Sequence, residues 1–178
     1  MVIEEVVPHL PKSSEAIRKA YASCETTGRF IEVGKGAFLP HLEKAKSDLS
    51  RVRPDMENGY WDWVIIKSYY SMHHAINALL VATIGFYSKD HFCAILALKN
   101  SEIIPAELYA KLRKINAKFS DFTGFDVTYS LRKISQYDVA RWKTVTMSDA
   151  EAVYGLAKEM AAFAERRCYE NDIPDKQG

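Results

Sequence analysis

The sequence predicts an all-α, up-and-down helical bundle with a long buried central helix and an extra N-terminal helical arm. Three observations carry that prediction. Glycine (8) and proline (6) are scarce in 178 residues, and most of them punctuate the apolar-periodic segments. The stretch Trp61 to Ile84 has no Gly or Pro and is apolar on almost every side, so it must be surrounded by other elements. No segment shows the strict apolar–polar alternation of a half-buried strand.

The elements follow in order. Ser13 and Ser14 precede EAIRKAYASCETT and predict a capped first helix, which Gly28, Gly34 and Gly36 interrupt. Leu42, Ala45, Leu49 and Val52 recur at helical spacing and predict an amphipathic helix over Leu39–Val52, ended by Pro54 and Gly59. The central helix follows to Ile84, with Ile65, Met72, Ala75, Ile76 and Leu79 as its core residues. Gly85 to Ser88 reads as a turn and Asp90 to Lys99 as a short helix. Pro105 suits the first turn of AELYAKLRKINAKF, which Gly124 stops. Ser148 and Glu151 have capping-box spacing before the last helix, and the tail from Asn171 reads as polar and frayed. The expected organisation is an arm over residues 1–38, a bundle over 39–170 and a tail over 171–178.

Composition bounds the function. A chain of 178 residues fits one domain that needs no staples. The formal net charge of +1 argues against a polyanion-binding surface over the whole molecule. The charge is nonetheless uneven: residues 111–143 carry eight Lys and Arg against three Asp, a local strip suited to phosphates. Cys24, Cys93 and Cys168 are isolated and odd in number, which predicts reduced thiols in the cytoplasm. The segment MVIEEVVPHLPKSS is acidic with an early proline, unlike a secretory signal. Lys67, His73, His74 and Asn77 near the middle of the central helix argue against a membrane span. There is no phosphate-binding lysine loop, paired-glycine dinucleotide loop, HExxH or Glu-x-x-His pair. The adjacent His73 and His74 diverge on a helix and cannot chelate one ion unaided, so no metal or other cofactor is expected.

The polar residues inside the central helix are the strongest functional signal. At 100° per residue, Trp63, Lys67, Tyr70, Ser71, His74 and Ala78 fall within about 60° of one another. This stripe combines a cation, a phenol, a hydroxyl and an imidazole. His73 and Asn77 form a second i,i+4 pair that points elsewhere. Buried polar groups are either satisfied by neighbours or used in function, and the residue pattern alone leaves both readings open.

From about His41 to Phe163 the chain resembles a HEPN domain, a helical nucleotide- and RNA-associated domain of prokaryotic defence and toxin–antitoxin systems. The matching residues are LEKAKSDL in the amphipathic helix, KSYYSMHHAINALL in the central helix, SKDH after the turn, and LRKISQYD before the final helix. The pair Tyr69–Tyr70, His74 four residues after Tyr70, and Lys89-Asp90-His91 are the most specific parts. The resemblance implies a compact bundle that dimerises. In active members it implies an Arg followed after four to six residues by His, at a dimer cleft that cleaves RNA without metal. Some members pair instead with a minimal nucleotidyltransferase that modifies a tyrosine.

This chain departs from the active pattern, because no Arg has a His at the required offset. Lys67 precedes His74 with six residues between them, and Arg132 precedes Tyr137 with four. Lysine lacks the bidentate fork of arginine, and a phenol is a poor base at neutral pH. The expected function is therefore a non-catalytic or divergent nucleotide- and RNA-associated module. It would act as a cytoplasmic homodimer, off the membrane, with a minimal nucleotidyltransferase as a further partner. The alternatives are a metal-independent endoribonuclease using Lys67, His74 or Arg132, and a purely structural bundle. The expected phosphate-binding residues are Arg132, Lys133 and Tyr137; the wider polar set is Lys67, Tyr70, Ser71, His74 and His91. The aromatic group Trp61, Trp63, Tyr69 and Tyr70 is the expected contact between copies.

Overall fold

A computed structural model describes residues 9–123 and 143–172. Helix α1 (Ser14–Thr26) begins at Ser13, whose side chain accepts from the Ala16 N–H at 3.2 Å, and the chain leaves it through Gly28 at φ +65°. A single 3-10 turn (Lys35–Ala37) leads into α2 (Phe38–Ser50). Pro54 and Gly59, expected to end that helix, instead bound a further short one, α3 (Arg53–Asn58). Pro54 lies in the first turn, where its missing N–H costs nothing, and Gly59 at φ +74° supplies the left-handed exit.

Helix α4 (Trp61–Ile84) is the axis of the molecule. Ile65, Ala75 and Leu79 are 0% exposed, and Met72 and Ile76 are 2% exposed. Helices α2 and α7 (Met147–Asp172) make the main packing contacts with it. Helix α5 (His91–Asn100) starts at Asp90, whose carboxylate accepts from the Cys93 N–H at 3.0 Å. Helix α6 (Ala106–Thr123) follows Pro105. The capping box of α7 is formed by Thr146 and Asp149, not by Ser148 and Glu151. The Thr146 N–H donates to Asp149 Oδ2 at 3.1 Å, and the Asp149 N–H to Thr146 Oγ1 at 3.2 Å. Both pairs have the right spacing, and the earlier one sets the start of the helix.

The residues 85–88 expected as a turn include a strand. β1 (Phe30–Glu32) pairs antiparallel with β2 (Phe86–Ser88), with Phe30 opposite Ser88 and Glu32 opposite Phe86. Strands of three residues are too short for period-two alternation to show in a sequence. Gly85 makes the sharp exit from α4 into β2, at φ +79°, with its N–H on the carbonyls of Leu80 and Val81.

The cysteine reading is corrected. Cys24 and Cys93 form a disulfide with a Cα–Cα separation of 5.8 Å, and Cys168 is the buried free thiol. α1 lies along α5, and the two partners are 69 residues apart in sequence, so spacing could not reveal the pair. The cytoplasmic expectation thereby loses its argument from thiols. Among the described residues, no helix is long and apolar enough to cross a membrane.

The aromatic group at the start of α4 is also dispersed. Tyr69 enters the core at 6% exposure, and Trp61 packs beside Val52, Val64 and Ala150. Trp63 stays exposed, with Tyr60 beside it in sequence.

Candidate functional site in the cleft between α2 and α4

From Val64 to Ala82, α4 is buried except at Ile66, Lys67, Tyr70 and His74. With exposed Trp63, the last three form one line along the helix. Opposite them α2 presents Lys44 and Asp48, one turn apart. Lys44, Asp48, Lys67, Tyr70 and His74 enclose a cleft of about 340 Å³, on the scale of roughly 300–1,000 Å³ typical of small-ligand sites.

Each wall residue is held by an identifiable contact. Lys44 Nζ donates to Asp48 Oδ1, while Asp48 Oδ2 is buried without a hydrogen-bond partner. Lys67 forms an ion pair with Asp55 of α3 and reaches the Arg51 carbonyl at 3.4 Å. The His74 ring lies 5.9 Å from that of His41 on α2, and His74 Nδ1 has no protein hydrogen-bond partner. Burial pushes the His74 pKa down; Asp48 partly opposes this, and Lys44 and His41 add to it. Burial also raises the Tyr70 phenol. The cleft is therefore lined by two lysine side chains, the Tyr70 phenol and an imidazole that burial holds toward its neutral form, with one Asp48 carboxylate oxygen lacking a hydrogen-bond partner.

Ser71 and His91 do not line this cleft, although His91 meets the Tyr70 ring edge-on with centroids 6.1 Å apart. The Ser71 hydroxyl is buried and donates to the Ala45 carbonyl at 2.8 Å, bracing α4 against α2. His91 stacks on His73 with ring centroids 3.8 Å apart, and Tyr69 lies 4.9 Å from His91. His73 Nε2 is 3.1 Å from Asn77 Nδ2. The Asn77 amide also donates to the Ser88 carbonyl at 2.9 Å and accepts from the Ser88 N–H at 3.0 Å. Because that amide nitrogen can only donate, His73 Nε2 is the acceptor and its proton is on Nδ1. The void beside the stacked rings is about 10 Å³, too small for a ligand. The second polar pair of α4 is thus a structural lock between α4, β2 and α5.

Arg132, Lys133 and Tyr137 lie outside the described residues. Within the described part of the basic strip, Lys111 pairs with Glu107 and Glu159, and Lys118 pairs with Asp149. Among the described residues, no group of three or more His, Cys, Asp or Glu side chains is placed to hold a metal ion. Lys44 and Asp48 were missed by the sequence reading. Their signal was an i,i+4 Lys–Asp pair inside LEKAKSDL, but the facing of that pair onto α4 is tertiary information.

The HEPN domain family profile matches residues 40–167, a span that contains both walls of the cleft. No curated protein matches the chain.

Proposed function

Because the chain belongs to the HEPN domain family, we propose that it is a non-catalytic or divergent nucleotide- and RNA-associated module that seats phosphate in the α2–α4 cleft. The observation that carries this reading is the composition of the open line on α4. Where a buried helix surfaces, it shows Lys67, Tyr70 and His74, facing Lys44 across a ligand-sized space. An ammonium has three donors, and a carboxylate occupies only part of that capacity in Lys44 and Lys67, whose side chains are 50% and 35% exposed. The absence of any Arg with a His at the family's spacing favours binding over cleavage.

Arg132, Lys133 and Tyr137 would extend the same phosphate surface. A second copy of the chain, and a minimal nucleotidyltransferase of a toxin–antitoxin or defence pair, are the partners this reading proposes. Exposed Tyr60 supplies apolar area for such contacts.

The test is RNA binding as a function of salt. Counterion release gives a slope of about 0.7 log units per phosphate contact on a single strand. The double variant Lys44→Gln/Lys67→Gln should lower that slope by about 1.4 and weaken binding by roughly tenfold or more at low salt. An unchanged slope and affinity in a folded double variant would remove the cleft from the interface.

A further inference from the structure

We infer that the cleft reads the ribose 2′-hydroxyl of a ribonucleotide through Asp48. This rests on the proposed phosphate seat and adds its sugar specificity. Asp48 is only 8% exposed, and Lys44 occupies one of its carboxylate oxygens. The other oxygen, Oδ2, is buried with no hydrogen-bond partner, on a residue that lines the cleft, so a donor reaches it by a small rotation of the Asp48 side chain. An ionised carboxylate accepts and never donates, so the group that completes it must bring an O–H or N–H. A phosphate diester brings none and would be repelled by the carboxylate. The donor must therefore belong to another part of a ligand whose anionic part is held by Lys44 and Lys67. In a ribonucleotide, the 2′-hydroxyl lies one carbon from the 3′-phosphate ester and is the nearest donor to it; DNA has no such group.

The third part of the ligand has a place on the same line. Trp63 is 53% exposed and sits one helical turn before Lys67, about 6 Å along the axis. An exposed indole beside a cationic groove is the arrangement on which an unpaired base stacks without sequence preference. Phosphate at the lysines, sugar at Asp48 and base toward Trp63 describe an unpaired ribonucleotide. A strand and a free mononucleotide share that chemistry.

The experiment compares three octamers of the same sequence on the full chain at low salt: oligouridine, its 2′-O-methyl form and its deoxy form. Uracil has no exocyclic amine, and 2′-O-methylation keeps the RNA-like sugar while removing the donor. Wild type should bind the ribo octamer roughly tenfold more tightly than either analogue. Asp48→Ala should bring that ratio close to one, and the isosteric Asp48→Asn, which keeps a neutral acceptor, should leave it in between. A purely structural role for Asp48 would weaken all three octamers together and leave the ratio unchanged, which would overturn the inference. Equal binding of all three by wild type, with the double lysine variant still impaired, would overturn the sugar reading and leave the phosphate seat standing. No binding of any octamer would remove the seat and this inference together. Uridine 3′-monophosphate, run alongside, separates the two sources: sugar-selective binding of it as tight as the octamer's supports the inference with a free nucleotide as ligand, and much weaker binding supports it with a strand.

Discussion

Replacing Leu79 by alanine is expected to destabilise the protein by about 2–5 kcal/mol. Leu79 is 0% exposed on the central helix, in one contiguous core with Leu42 of α2 and Met160 of α7. Its neighbours belong to several elements, so the wall cannot collapse onto the missing methyl groups by moving one side chain. The cost therefore combines lost transfer free energy with a residual cavity. Urea unfolding would show a lower midpoint at an unchanged slope. A loss below about 1 kcal/mol would mean that α4 is not the packed axis of the bundle.

Lowering the pH from 7 to 5 is expected to destabilise the fold, with His73 as the main contributor. Its pKa is held well below the ordinary histidine value, first by burial and then by His91, His74 and His41. His41 and His74 are shifted in the same direction, chiefly by burial. These groups stay neutral in the folded protein at pH values where the unfolded chain has already bound protons. Stability is therefore fully present above the unfolded pKa, near 6.5, and is lost as the pH falls below it toward the folded values. Among the described residues, the groups around His73 are His91 of α5, Asn77, Tyr69 and His74 of its own helix, and His41 of α2. None of these supplies a negative charge. The Asp48 carboxylate faces His74 across the cleft and opposes the downward shift of that ring. Protonation of His73 would also remove one of the two acceptors of the Asn77 amide and place charge against the stacked His91 ring. Thermal unfolding from pH 7.5 to 5 should show a falling midpoint. His73→Phe, which keeps an aromatic ring against His91, should flatten that fall. A midpoint independent of pH in wild type would contradict the buried-imidazole account.

The architecture was legible because its signals are long-range in sequence but simple in kind. Twenty-four residues without Gly or Pro, apolar on nearly every side, can only be an enclosed helix. The phase of α4 also separated its polar residues well. Lys67, Tyr70 and His74 emerge together, while His73 and Asn77 face β2 and α5. Phase alone could not say where the edge of the open line falls. Ser71 lies within the same angular sector but is buried because Ala45 of α2 passes over it. Lys44 and Asp48 became site residues only when α2 packed on α4. The disulfide, the three-residue strands and the second capping box all depend on contacts or competition that periodicity does not carry. Between two equal local signals, Thr146–Asp149 and Ser148–Glu151, the structure makes the hydrogen bonds of the first.

The central claim is that the α2–α4 cleft is where this HEPN chain meets phosphate. Titration of a short single-stranded RNA into isotopically labelled protein at low salt, followed through the histidine ring signals, tests it most directly. The account predicts saturable shifts of His74, and of His41 beside it, while the signals of the His73–His91 stack move little. RNA binding that leaves His74 and His41 unmoved in the folded protein would contradict it.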